Sequence, residues 1–299
     1  MFYGVINESY DKCDRLEIEL ENSLLFFKSL DIVQESGIQI MQESFSDIVE
    51  RVKELWKKFK EWLSGIIAKV KGIFNKDKDI AKKIKETNDK IQRIEVKKEE
   101  PKNEEPKAEE PKVEEPKEIK WYSRRRDASR ELIYITVEVN GILDYFKNHE
   151  MNENTVNYFD DACKKLIFKI NNTNPNNLFN ENSFLNNITA EQAKTLANEI
   201  TYASDLLSKE SEATTEEIIA INKIIPKYEN DINHVTINDD NTVSFTDGNR
   251  ISLNSYKQTV HNFVMVLTAK AKFLSKYEDY LIKYLKANCD ALGELYKLY

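Results

Sequence analysis

Glycine and proline are scarce in this chain, at seven and six of 299 residues, and four of the prolines fall in one short stretch. Both residues break helices, so long uninterrupted helices are permitted elsewhere. Cysteine is scarcer still. Cys13, Cys163 and Cys289 are odd in number and far apart, with no Cys-x-x-Cys and no Cys/His ligand spacing. Neither a disulfide framework nor a zinc site is signalled, and a reducing compartment is expected. His149, His234 and His261 each lack a second ligand at metal-binding spacing and read as structural or surface residues. Met1–Glu8 lacks the basic and apolar regions of a signal peptide, and no run approaches the roughly 18 apolar residues of a membrane span. No Gly-rich phosphate loop, nucleophile elbow or His-Glu-x-x-His motif occurs. The chain therefore reads as non-enzymatic, with no catalytic residue, no metal ligand and no cofactor.

What is present is charge in blocks and long apolar periods. The net charge is −8, but residues 1–44 carry −6, residues 45–98 carry +7 and residues 99–118 carry −5. In the first block Leu16, Leu20, Leu24 and Phe27 form a helical stripe, and Gln-Glu-Ser occurs on both sides of Gly37. Then Phe45, Val49, Val52, Trp56, Phe59, Leu63, Ile66, Val70 and Ile73 step by four and three without a break. That is a 3.5-residue apolar repeat, which Trp62, Leu55 and Ile67 widen into a face opposite a lysine-rich one. An amphipathic helix is expected over 45–74, extended to about residue 98 by a charged segment that frays. From Glu99 the chain repeats Glu-Glu-Pro-Lys every five residues up to Lys117. Proline at that interval forbids a helix and leaves a solvated spacer.

Residues 119–299 read as a second domain. Helical patterns cover about Arg124–His149, Glu153–Asn171, Ala190–Ser208, Thr215–Asn233 and Asn254–Tyr296, with Thr155, Thr189 and Thr214 or Thr215 at the N-cap positions. The Asn-rich stretch Asn171–Asn187 reads as a loop. Near 235–253 the period falls to two (Val235/Ile237, Val243/Phe245, Ile251/Leu253), which predicts a β-hairpin or a three-stranded meander. The expected fold is mainly α, with an N-terminal helical hairpin or bundle over 1–98, a disordered linker over 99–118, and a C-terminal helical bundle with a small β insertion over 119–299.

The expected interaction face is Phe45, Val49, Val52, Trp56, Phe59, Trp62, Leu63, Ile66 and Val70. It has three readings: packing in a bundle against the acidic residues 1–44, a coiled coil with copies of itself, or burial in a membrane interface as a peripheral anchor. Its width and its aromatic and β-branched content favour packing against protein. Trp121-Tyr122-Ser123-Arg124-Arg125-Arg126 is a compact basic-aromatic cluster, and Arg124, Arg125 and Arg126 are candidates for contact with an acidic partner. Contact with nucleic acid is expected to be weak and confined to such basic patches.

The Met1–Ser9 start, the paired Gln-Glu-Ser tripeptides and the Lys-rich Trp/Phe helix before a charged spacer together resemble internal head proteins of tailed phages, of the prohead core or scaffold type. The resemblance covers about residues 1–100. It implies a structural or assembly protein of the procapsid and virion, made in the host cytoplasm and contacting copies of itself or other head proteins. It also implies trimming by a maturation protease after Glu, for which Glu35 and Glu43 are the candidates.

Overall fold

The computed structural model describes residues 45–94, 116–126, 128–149, 152–238, 240, 242–246 and 248–299. The stripe at Leu16–Phe27, Cys13, Glu35, Glu43 and the pentads through residue 115 lie outside these, as do the side chains of Phe45 and Val49.

Helix α1 runs Phe45–Gln92, a single helix of 48 residues. Where fraying was expected after residue 74, the helix continues, because its core register does. Val70, Asp77, Ile84 and Ile91 follow Trp56 and Leu63 at intervals of seven, and all six are buried. An aspartate holds one position of an otherwise apolar seam, which hides the period from a hydropathy reading.

Strand β1, Glu118–Arg124, and strand β2, Phe179–Leu185, pair antiparallel over their whole length, from Glu118 opposite Leu185 to Arg124 opposite Phe179. This sheet replaces the expected helix start at Arg124 and part of the expected Asn-rich loop. Helix α2 begins only at Ala128 and ends at Asn148; helix α3 spans Glu153–Asn172. Asn152, rather than Thr155, caps α3: its side chain accepts from the Thr155 N–H at 3.1 Å, and Thr155 is buried in the first turn. Thr189 does cap the next helix, in a reciprocal capping box with Gln192 (2.8 and 3.3 Å).

That helix, α4, is continuous from Ala190 to Asn233. The break expected near Thr214 is absent, since no glycine or proline interrupts residues 190–225 and both Thr214 and Thr215 are buried along the helix. Strands β3 (Thr236–Ile237), β4 (Thr242–Ser244) and β5 (Arg250–Ser252) form the expected antiparallel meander. Gly248, at φ +88°, closes the β4–β5 turn, where the Phe245 N–H donates to the Asn249 carbonyl. Helix α5 covers Leu253–Lys297.

The described residues divide into two compact units: those within Met1–Gly72, Ser129–Pro175 and Thr214–Tyr277 form the first, and those within Ile73–Ala128, Asn176–Ala213 and Glu278–Tyr299 the second. In the first, Phe263 packs against Phe159 and Tyr228 in tilted ring contacts at centroid distances of 5.1 and 5.0 Å, and the Tyr228 hydroxyl donates to the Leu143 carbonyl. In the second, Asp77, Lys85 and Asn88 of α1 meet Ser208, Asp205 and Asn198 of α4. Numbers rise along one helix as they fall along the other, so the two are antiparallel there.

Candidate interaction surfaces

The described side chains of the predicted interaction face of α1 are buried. Val52, Trp56, Phe59, Trp62, Leu63, Ile66 and Val70 are all buried, with Trp56, Phe59 and Trp62 at 1% exposure or less. Their rings form a ladder at i, i+3, with centroids 5.7 and 5.9 Å apart. Phe45 and Val49 belong to the same helix. On the flanks of the face, Lys60 pairs with Glu229 and the Lys69 ammonium donates to the Ser275 hydroxyl at 3.4 Å. Lys53, Lys57 and Lys71 remain exposed.

The basic-aromatic cluster becomes strand β1 of the second unit, and its three arginines separate. Arg124 pairs with Glu210, whose carboxylate is buried. Arg125 donates to the Asn180 side chain at 3.2 Å, and Arg126 is exposed. The strand is docked by Asn288 of α5, which is fully buried. Its carbonyl accepts from the Tyr122 N–H at 2.7 Å, and its amide donates to the Tyr122 carbonyl at 2.8 Å and to the Ser204 hydroxyl at 3.0 Å. Tyr122 stacks on Tyr284, and its hydroxyl, with the Lys120 ammonium, reaches Glu181. Arg125 and Arg126 are thus the members of the trio left facing solvent.

The first unit also carries a groove that no sequence motif marks. Glu138, Gly141, Ile142 and Tyr145 of α2 face Tyr158, Ala162, Lys165 and Lys169 of α3 across a cavity of about 390 Å³. Ile133 and Val137 of α2 and Phe168 of α3 are exposed, at 62%, 62% and 73%. Helix α2 is apolar on two sides, with Ile135, Val139 and Leu143 buried and Ile133 and Val137 exposed outside the cavity lining. Lys169 lies 3.7 Å from Glu138, while burial, with the nearby Glu131, pushes the Glu138 carboxyl up.

Burial disfavours the thiolate form of both described cysteines. Cys163 is fully buried, and burial, reinforced by Asp160, raises its thiol far from the thiolate. Burial raises Cys289 as well. His149 contacts the Tyr145 carbonyl through Nδ1 at 2.7 Å, and His234 is exposed. Among the described residues no group of three or more His, Cys, Asp or Glu could hold a metal ion, and no helix is long and apolar enough to cross a membrane.

The described residues thus define a mainly helical protein whose distinguishing features are packing surfaces. Residues 18–119 match the family model of phiKZ-like phage internal head proteins, a segment that contains all of α1. Over that segment, about a third of the chain, the protein is similar to those internal head proteins. The match suggests a structural virion protein associated with head components. No curated protein and no solved structure matches the chain.

Proposed function

We propose that this protein is a non-enzymatic structural or assembly component of a tailed-phage head interior, acting through helix–helix contacts with copies of itself or other head proteins. The observation that carries the reading is the match of residues 18–119 to internal head proteins. The burial of Trp56, Phe59 and Trp62 supports packing against protein as the use of the α1 face. A membrane-bound state of Phe45–Phe74 would first have to strip that face of its cover, at a cost of about 1.5–3 kcal/mol per large side chain. The exposed α2–α3 groove is the surface we assign to contact with other head components.

Mass spectrometry of purified particles after proteolytic shaving of their exterior tests this. Peptides from this chain should survive shaving and disappear once the heads are opened; their absence from shaved, intact particles would overturn the assignment. Trimming after Glu35 or Glu43 is the finer part of the proposal. It predicts chains beginning at Ser36 or Ser44 in mature particles, and chains intact from residue 1 to 44 would rule it out.

A further inference from the structure

The second unit contains a buried polar layer in which three helices meet. Asp77 of α1 occupies the seam position between Val70 and Ile84 and is fully buried. Glu278 of α5 stands in the same way between Ala271 and Leu285, seven residues from each, and Ser211 of α4 between Ser204 and Ile218; all of these are buried. The Ser211 hydroxyl donates to Glu278, and the Ser208 hydroxyl donates to both Asp77 oxygens at 3.1 and 3.2 Å. Glu278 Oε2 is buried with no hydrogen-bond partner among the described residues. An ionised carboxylate with a dry, unpaired oxygen is strongly unfavourable, and protonation removes the charge that makes it so.

We infer that Asp77 and Glu278 form a proton-holding carboxyl pair, a pH-sensitive latch that keeps α1, α4 and α5 of this unit together while a proton is bound and loosens them when it leaves to solvent. Burial pushes the Glu278 carboxyl up to about 8, opposed by the Ser211 donor and reinforced by Asp77 and by Asp279 on its own helix. Asp77 is raised as well, chiefly by burial; the Ser208 and Ser211 hydroxyls and Lys78 oppose the rise, and Glu212 of α4 adds to it. An acid whose folded value lies above its ordinary 4.5 loses stability as pH climbs from about 4.5 to about 8, and the loss is complete above that. The latch is therefore closed in acid and strained in alkali.

The test is thermal unfolding of the full chain against pH, with Glu278→Gln beside the wild type. The variant should match the wild type near pH 5 and exceed it by a margin that grows to about pH 9; parallel curves would overturn the latch. Carboxyl 13C NMR of the wild-type chain is the second readout, independent of whether the variant folds. One glutamate should titrate near 8, and its midpoint should fall in Asp77→Asn. If every carboxyl titrates below neutrality, or if elemental analysis finds a stoichiometric cation whose removal by chelator changes the melting curve, the pair is not a proton latch.

Discussion

Each unit holds a pair of carboxylates, and the two pairs are treated in opposite ways. In the first, Asp160 accepts from the Gln258 and Asn262 side-chain amides at 2.7 and 3.0 Å and from Lys164, and Glu153 accepts from the Ser252 N–H at 3.1 Å and from the Ser255 hydroxyl. For Asp160 burial works to raise the carboxyl, yet the donors outweigh it and the group lies below its ordinary value. Glu153 is lowered first by Ser255, then by Ser252. In the second unit Asp77 and Glu278 have only serine hydroxyls, and burial wins. What decides the sign is the number and strength of the donors relative to the desolvation cost of the charge. The grip on α1 differs in the same sense. Its first half is held by a dry aromatic ladder, its second by Asp77, Asn88, Gln92 and two buried isoleucines.

If that contrast is right, the largest single effect lies in the ladder. Phe59→Ala removes a ring that is fully buried between two indoles and should cost about 3–5 kcal/mol in urea unfolding. A loss below about 1 kcal/mol would mean that the aromatic face is not what secures α1. Next comes the dock of β1. Asn288→Ala leaves the Tyr122 N–H and carbonyl without their partner and should cost about 1–3 kcal/mol, visible as faster hydrogen exchange in β1.

The pH responses should then separate the units. Carboxyls held below their ordinary values, as Glu153 and Asp160 are, contribute stability that is present above about pH 4 and lost as pH falls through their folded values. Hydrogen exchange should therefore accelerate first in α3 and the start of α5 on acidification, and first around Ser208–Ser211 in alkali. Uniform acceleration at both extremes would dissolve the comparison.

The same contrast explains what was legible in the sequence. The apolar seam from Val52 to Val70 announces itself because every core position carries a hydrocarbon. Beyond it Asp77 occupies a core position while looking like a surface residue, so the helix seemed to fray where it continues to Gln92. Thr214 and Thr215 mislead in the same way, as buried hydroxyls along α4 that read as a cap. The β1–β2 sheet was hidden by distance. Trp121 and Tyr122 favour a strand, but their partners lie some sixty residues on, in a segment whose asparagines signal a loop. Of the candidate interface, the α1 face was readable as apolar, but what covers it was not, because the salt link to Glu229 and the contact with Ser275 join residues far apart in the chain. The α2–α3 groove is lined by charged, aromatic and small residues drawn from two helices, so no apolar period within one helix reveals it.

The smallest predicted effects test whether surface ion pairs add anything to either grip. Lys60 and Glu229 in the first unit keep 40% and 29% of their side chains exposed, and Lys85 and Asp205 in the second keep 63% and 43% at a separation of 3.6 Å. Water and salt screen charges so placed, and ordering two long side chains offsets part of their attraction. Double-mutant cycles should give about 0.3–1 kcal/mol for Lys60–Glu229, falling in high salt, and about 0–0.5 kcal/mol for Lys85–Asp205. The order matters more than the size. A stronger coupling for the more exposed pair would mean that α1 is held in the second unit by charge, and the division between a dry grip and a polar one would have to be redrawn around ion pairs rather than around the buried layer at Asp77 and Glu278.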